Sequence, residues 1–469
     1  MREELQQRVT RDILVASDRA SLELDETLCT MKRPLVSFTL LAVLAGTVAI
    51  TSLRNLDAKA DGLQASEELK WYRGNLHTHS HWSDGDDYLE MIAKWYREQG
   101  YQFLVFTDHN VLANTERWID VEKSAGGPEA FKKLKATFPQ FVQERTSETG
   151  ELEVRLRTFQ EVDDQMKEPG EFLLIQGEEI SDSFEKLPIH LNASNVAEVI
   201  PPMMGSSVLD TIQNNVRAVL AQRKRTGQPM IVHLNHPNFG FAIPAEDLMR
   251  VRGERFFEVY NGHPRVFNSG DETHAGTERI WDIVLTRRLT ELDLPIMYGL
   301  AVDDGHNYHD ISSHKSNPGR GWVMVLANEL SAKSLIDAME AGRFYASSGV
   351  KLHSVETSVE GLSIQVVPVE GETSMIEFIG TRKGYDADSY PVRDREGREI
   401  RATHRYSNDI GEILKTVRGD RGTYQFTGDE IYVRARITSS GAHPNPSESG
   451  DQKRAWCQPV VGPGVDARE

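Results

Sequence analysis

The chain has 469 residues, 39% apolar and 26% charged, with a formal net charge of −18. That length is enough for two or three domains around a sizeable core, and the composition is that of a globular protein, not a fibrous or disordered one. The acidic balance argues against duplex nucleic acid as a partner, because a polyanion is repelled by such a surface; a small anionic substrate stays compatible, since a bound cation sets the local charge of a site whatever the net sign.

Residues 1–30 are polar and charged and read as a leader or a misassigned start. From Met31 the order Met-Lys-Arg-Pro precedes an apolar run over 35–50, the arrangement of a signal peptide, and Ala58-Lys59-Ala60 supplies a small-x-small cleavage point. The uncharged stretch 34–53 also has the length of a bilayer span, so an uncleaved anchor is the alternative and a buried helix the third reading. The expectation is export to the periplasm or the exterior, with membrane contact only through this segment. Cys29 precedes the cleavage point, which leaves Cys457 as a lone thiol and no disulfide.

Residues 61–345 are expected to form one α/β domain. Continuous apolar runs at 101–107, 172–176, 230–234, 256–260 and 296–302 suit parallel strands covered on both faces. Between them, residues 86–99 read as a helix capped by Asp86 and stopped at Gly100; 206–226, 272–289 and 331–341 also read as helices, the last closed by Gly342. This rhythm predicts an α/β barrel or a doubly wound sheet. An insertion at 115–170, rich in Lys, Glu and Gln, holds an expected helix at 128–144 and is either a lid or a surface decoration. Beyond 350 the apolar period changes to two, at 354–360 and 362–367, which predicts a small β-sandwich over 350–461. Residues 462–469 read as a disordered tail.

Of 15 histidines, 12 lie between residues 77 and 314. Many sit where predicted strands end, and the C-terminal ends of parallel strands converge on one face. His77, His79 and Asp84 come first. His109 follows the strand at 101–107, and Glu178 and Glu179 follow that at 172–176. His190, His233 and His236 come next; Asp303, Asp304 and His306 follow 296–302. Such a set predicts a multi-metal site with mixed nitrogen and oxygen ligands. Positions i and i+2 of an extended segment share a side, so His77 and His79 can grip one ion, and Asp304 and His306 can do the same from the opposite side. Adjacent Asp303 and Asp304 point apart, so only one of them ligates.

The motifs His77-x-His79-x4-Asp84-Gly85, Thr107-Asp108-His109, Gly177-x-Glu179-Ile180-Ser181, His236-Pro237 and Asp304-x-His306, in this order over 71–345, resemble the polymerase and histidinol phosphatase (PHP) superfamily. The resemblance implies an α/β fold, a distorted (β/α)7 barrel, here with the small C-terminal β-sandwich. It implies two to three divalent ions, Zn, Mn or Fe. His77, His79, Glu179 and Asp304 would hold one ion. Glu179 would bridge to a second held by His190 and His236, and Asp84, His109 and His306 would hold a third. The family patterns favour Glu179 over Glu178, His236 over His233 and Asp304 over Asp303, and make Glu179 and Asp304 the catalytic carboxylates. Asp108 is expected to buttress His109 or a neighbouring ligand, or to cap a helix. His81 and His233 are expected beside the ligands, and His309, His314, His353, His404 and His443 at the surface.

A metal cluster of this kind lowers the pKa of water and neutralises phosphoryl charge, so the expected activity is hydrolysis of a small phosphomonoester or phosphodiester by a metal-bound hydroxide. No Ser or Cys stands in a nucleophile elbow. Arg265, in Asn261-Gly-His-Pro-Arg265, is the expected substrate clamp, with His263 beside it. The alternatives are an amide or lactone hydrolase using the same metals, and an exported non-catalytic binding protein. Histidinol phosphate is not the expected substrate, because an exported enzyme would not meet a cytoplasmic intermediate.

Overall fold

The computed structural model describes residues 69–465. The leader, the apolar run, the cleavage point and residues 466–469 lie outside the described residues. Among the described residues, no helix is long and apolar enough to cross a membrane.

Strands β1 (Lys70–Asn75) and β2 (Phe103–Phe106) run parallel, with helix α1 (Leu89–Glu98) between them. The insertion follows. Its strands β3 (Arg117–Asp120), β4 (Glu144–Thr146) and β5 (Leu152–Leu156) form a separate antiparallel sheet, accompanied by α2 (Gly127–Thr137) and α3 (Phe159–Met166). Next come β6 (Leu173–Phe184), β7 (Leu187–Ser194), α4 (Val208–Thr226), β8 (Ile231–Leu234) and the short α5 (Ala245–Leu248). The series continues with β9 (Phe256–Asn261), α6 (Thr277–Thr290), β10 (Tyr298–Val302), β11 (Trp322–Ala327), α7 (Ala332–Glu340) and β12 (Phe344–Ser347).

Strand β2 shows why these segments are apolar throughout. Phe103 and Val105 face inward onto Tyr72, Ile175, Leu300 and Val302. Leu104 and Phe106 face outward onto Ile92 and Tyr96 of α1. Both faces of the pleat are buried, so neither can be polar.

The strand order is β10-β9-β8-β7-β6-β2-β1-β11-β12, and the sheet does not close into the expected barrel. The physical reason lies at β1. One of its edges pairs with β2, and the other is taken by antiparallel β11 from Lys70↔Ala327 to Gly74↔Val323. Strand β10 therefore meets β1 only beyond both ladders, in the single bridge Thr78↔Gly305. The sheet is also not wholly parallel: β7 turns back as a hairpin on β6 and pairs antiparallel with β8.

Several predicted boundaries shift. Asp86 does not cap α1, whose N-cap is Tyr88; the Asp86 carboxylate instead accepts from the Tyr308 amide at 2.7 Å. The insertion helix stops at Thr137 and gives way to a 3-10 turn, Pro139–Phe141. The α6 helix starts at Thr277, because residues 270–276 are engaged in turns around Asp271. By contrast Ser207 and Ser331 cap α4 and α7, accepting from the amides of Asp210 and Ser334.

The C-terminal strands are β13 (Leu352–Ser358), β14 (Gly361–Val366), β15 (Ser374–Arg382), β16 (Ser389–Tyr390), β17 (Arg405–Tyr406), β18 (Glu412–Arg418), β19 (Arg421–Gln425), β20 (Glu430–Ala442) and β21 (Gln452–Val461). Strands β13, β14 and β19 share a core with β15, β20 and β21 through Leu352, Leu362, Ile364, Ile376, Phe378, Val433 and Ala455. The second layer is no island: β21 pairs with β12, so one hydrogen-bonded sheet runs on into these strands. Residues 462–465 do not dangle, since the amides of Gly462 and Gly464 donate to the carbonyls of Ile431 and Glu430 at 2.9 Å.

Three of the buried glutamates have no imidazole beside them. Burial pushes the carboxyls of Glu90 and Glu178 up to about 7 and that of Glu254 up to about 8. Each therefore holds its proton in the folded chain at a pH where the unfolded chain has released it. Stability is full below the unfolded pKa of about 4.3 and falls as pH rises through the folded values. Urea midpoints between about pH 5 and pH 9 should decline, and Glu254→Gln should make that decline shallower. An unchanged slope in the variant would show that Glu254 does not titrate this way.

Candidate metal centre

Beyond β1 the chain stays extended: the His79 amide donates to the Gly305 carbonyl at 3.0 Å. The alternation places the His77 and His79 rings together, 5.1 Å apart. The chain then folds tightly on itself, with the amides of Ser83 and Gly85 donating to the Ser80 carbonyl at 3.0 Å. A Cβ at position 85 would lie 2.5 Å from the His79 carbonyl oxygen, so Gly85 is required by close approach. Asp108 pins this loop, accepting from the Ser80 amide at 2.7 Å, the Ser80 hydroxyl at 2.8 Å and the Ser83 hydroxyl at 2.6 Å. Of the roles expected for it, the geometry supplies this one: it fixes the turn that carries His79 and Asp84.

Three groups of donor atoms result. In the deepest, Glu179 Oε2 lies 3.5 Å from His77 Nε2 and 3.3 Å from His79 Nε2, and Asp304 Oδ1 lies 3.3 Å from each. In the second, Glu179 Oε1 lies 3.0 Å from His190 Nδ1 and 3.5 Å from His236 Nε2. In the third, Asp84 Oδ1 lies 3.5 Å from His109 Nε2 and 3.3 Å from His306 Nε2. His109 Nδ1 also reaches back to Glu179 Oε2 at 2.8 Å. The two oxygens of Glu179 thus face two different groups.

Asp304 and His306 do not grip one position as a pair. Asp304 has φ +50, in the left-handed region, which breaks the extended alternation. Its carboxylate joins the deep group, while His306 turns to Asp84. The His306 Nδ1 bonds to the Asp304 carbonyl at 2.8 Å, which leaves Nε2 free to ligate. His190 is not at a strand end but within β7, opposite Ser181.

The separations of 3.3–3.5 Å suit cations better than hydrogen bonds, whereas His190 Nδ1 and His109 Nδ1 stand at hydrogen-bond distance from Glu179. Four donors at 2.0–2.2 Å from one ion sit roughly 3.3–3.6 Å apart on a tetrahedron. The buried His77 Nε2 and His79 Nε2 have no hydrogen-bond partner. Leaving such atoms bare costs on the order of 1–3 kcal/mol each, and more where charge is involved. Asp84 is the solvent side of the site, with its side chain 59% exposed, whereas His77 and His79 are fully buried.

A further carboxylate, which the sequence reading passed over, holds this arrangement. Glu258 of β9 is fully buried. Its Oε1 accepts from His77 Nδ1 at 2.7 Å and His233 Nε2 at 3.2 Å. Its Oε2 accepts from the His236 amide at 2.7 Å and Asn261 Nδ2 at 2.8 Å. Asn261 also donates to Asp304 Oδ2 at 3.1 Å, and Asn235 donates to Glu179 Oε1 at 2.7 Å. The signal available in sequence was one acid inside the apolar run 256–260.

The rejected alternatives point elsewhere. Asp303 accepts from the amides of Arg320 and Gly321 and from the Tyr96 hydroxyl, and Glu178 accepts from the Ile200 amide. His233 meets Glu258 and not Glu179. His443, expected at the surface, is buried against the Arg320 carbonyl.

Charge runs in opposing directions here. Burial alone would raise Glu179 and Asp304, but the surrounding imidazoles hold both well below the usual carboxylate range. Burial would lower His77, yet Asp304, Glu258 and Glu179 hold it well above its ordinary value. Burial, with His306 and His109 beside it, takes His79 down to about 3. Glu258 is brought down to about 2 against its burial, chiefly by His77 and His233. No Lys or Arg pairs with Glu179, Glu258 or Asp304 among the described residues.

No family model matches the chain, and no curated protein does. Solved structures resemble it, two of them as follows. One is a two-domain protein from Bacteroides vulgatus containing a predicted PHP-like metal-dependent phosphoesterase: 15% identity, 83% of this chain and 95% of that one covered, TM-score 0.36. The other is a candidate metal-dependent phosphoesterase from Bifidobacterium adolescentis: 14% identity, 58% and 97% covered, TM-score 0.29. At these values they assign no activity, and the functional argument rests on the side chains.

Arg265 and His263 lie at the mouth. The Arg265 guanidinium sits over the Phe239 ring, 5.3 Å from its centre, and Phe239 lies 5.1 Å from the His236 ring. The His263 ring is 5.7 Å from that of His306. The Arg265 amide donates to His263 Nδ1 at 3.1 Å, so the His263 proton resides on Nε2. Burial lowers His263 to about 4, so it offers a neutral N–H and not a positive charge.

If Glu258 orients His77, Glu258→Gln should weaken divalent-ion retention roughly 10- to 100-fold, read by chelator competition, while saturating metal restores full occupancy. Unchanged affinity would mean that Glu258 is only a packed core acid.

Proposed function

We propose that this chain is a metal-dependent hydrolase of small phosphate esters, acting outside the cytoplasm. The observation that supports it is the deep group: the buried Nε2 atoms of His77 and His79 have no hydrogen-bond partner, and both face Glu179 Oε2 and Asp304 Oδ1 at 3.3–3.5 Å. A nitrogen and oxygen set of this type suits Zn, Mn or Fe; Ca or Mg would be met mainly by oxygen. His77, His79, Glu179 and Asp304 would hold one ion, Glu179, His190 and His236 a second, and Asp84, His109 and His306 a third. Ions held there would supply activated water and neutralise charge on the phosphoryl group.

The chain's own residues do the rest. Glu179 faces two groups at once through its two oxygens, which holds their separation fixed. Arg265 has no carboxylate partner among the described residues, so its charge is available to an anionic substrate. His263 Nε2–H can donate to a phosphoryl oxygen without adding a charge. Phe239 keeps one side of the mouth dry beside His190 and His236. Export is the part of this proposal that rests on the apolar run 35–50 alone.

The test is a panel of phosphomonoesters, phosphodiesters and carboxyl esters, assayed with Mn²⁺ or Zn²⁺. Turnover should be confined to phosphate esters and abolished by chelation; cleavage of carboxyl esters only would overturn the reading. His79→Ala and Asp304→Ala should each lower kcat/KM by more than the roughly 100-fold that outer partners cost, with the circular dichroism spectrum retained. Arg265→Ala should raise KM about tenfold or more and leave metal content unchanged.

A further inference from the structure

Asp84 is the ligand side chain most open to solvent, and the charged groups it meets are the imidazoles of His79, His109 and His306. Its place is therefore set by its backbone, in the loop 80–87 between β1 and α1. The insertion grips that loop on both sides of Asp84. Ahead of it, Trp82 is buried, and its Nε1 donates at 3.0 Å to the carbonyl of Arg157, just past β5. Arg117 of β3 donates through Nη1 to the Trp82 carbonyl. Beyond Asp84, Lys133 of α2 donates to the buried Asp87 carboxylate at 3.1 Å, and the Asp87 carbonyl accepts from the His81 amide at 3.0 Å. The start of α2 also abuts this chain: a Cβ on Gly126 would lie 2.1 Å from the Asp86 carbonyl oxygen.

A lid has to leave its seat to admit substrate. Here Trp82 belongs to one buried cluster that joins Ile92 and Tyr96 of α1 to Phe131 of α2, Val154 of β5 and Val162 of α3. Lifting the insertion would open that cluster to water, which the hydrophobic effect opposes. A surface decoration, for its part, would make no bonds to a ligand-bearing loop. The deep group is held from elsewhere, by Glu258, Asn235 and Asn261, none of which belongs to the insertion.

We infer that the insertion is a fixed brace. Through Trp82 and Asp87 it sets the backbone of Asp84, and so governs how tightly Asp84, His109 and His306 hold a cation, while the deep group is untouched by it. Arg117 and Lys133 are then positioning residues that act through the loop. This rests on the reading of three cation groups and gives the insertion a part in one of them.

The test measures ion uptake and not turnover: metal-free protein is titrated with Mn²⁺ or Zn²⁺ by equilibrium dialysis. Wild type should take up one ion that Asp84→Asn loses, besides those that the variant keeps. Arg117→Met and Trp82→Phe should each weaken that ion about tenfold, as the loss of an outer partner does, with the other ions unmoved and the circular dichroism spectrum retained. Arg117→Lys, which keeps a donor for the Trp82 carbonyl, should recover most of the affinity. In the Asp84→Asn background neither variant should alter the remaining ions. Unchanged affinity for the Asp84 ion in both variants, or the same loss for every ion, overturns the brace and leaves the hydrolase reading standing. Equal uptake by wild type and Asp84→Asn removes the Asp84 ion and the brace with it, while the deep group stands. No uptake by wild type overturns the parent reading and the brace together.

Discussion

A carboxylate taken wholly out of water must be met by donors, and Glu258 is met by four. An ionised acid in the interior costs several kcal/mol unless it is paired and hydrogen-bonded, so these four bonds are a condition for folding β9 at this place. They are also what gathers the centre. One acid fixes the ring of His77 beyond β1, the ring of His233 within β8, the backbone of His236 just after it, and, through Asn261, the carboxylate of Asp304 beyond β10. The side chains that would touch a cation are placed by one that does not.

The open sheet edge contributes as directly. A closed barrel would have laddered β10 onto β1 along their length. Because β11 occupies that edge, the two strands meet only where both have ended, at Thr78 and Gly305. Backbone freed from a ladder can adopt unusual conformations, and Asp304 takes the left-handed one. The carboxylate thereby turns toward His77 and His79, while His306, two residues on, turns toward Asp84. Two donor groups are fed from one short segment because it is irregular.

The centre is asymmetric in its contact with water. His77, His79 and Glu179 are dry, so attraction between their charges and a cation is weakly screened. Asp84 is open to solvent. Around the mouth, charge and apolar surface alternate: Arg265 lies over Phe239, and His263 is neutral beside His306. A protein of net charge −18 thus presents an anion with one cationic side chain at the approach and cation-binding donors at the bottom.

Ligand types at strand-end spacing made the donor set readable from residues alone, because few residue types bind metals and extended chain repeats every two residues. His77 with His79, Asp84 and His306 were singled out by residue type and spacing, whereas Glu179 over Glu178 and His236 over His233 followed only from the resemblance to the PHP pattern. Helix ends marked by Ser207 and Ser331 were equally local, since a cap acts on amides three residues away. Other features had no local signature. Glu258 is a single acid in an apolar strand, and its meaning depends on imidazoles from two other strands. Asp86 has the look of a helix cap, but a distant amide, that of Tyr308, claims its carboxylate. His443 reads as a surface histidine until the Arg320 carbonyl buries it. By itself, then, the sequence determined which atoms are capable of binding cations and which segments are strands or helices, because those follow from chemistry and short-range periodicity. Only the tertiary structure decided which oxygen faces which imidazole, and that the sheet stays open where they meet, because a strand's second neighbour and a buried acid's donors are chosen by packing across the whole chain.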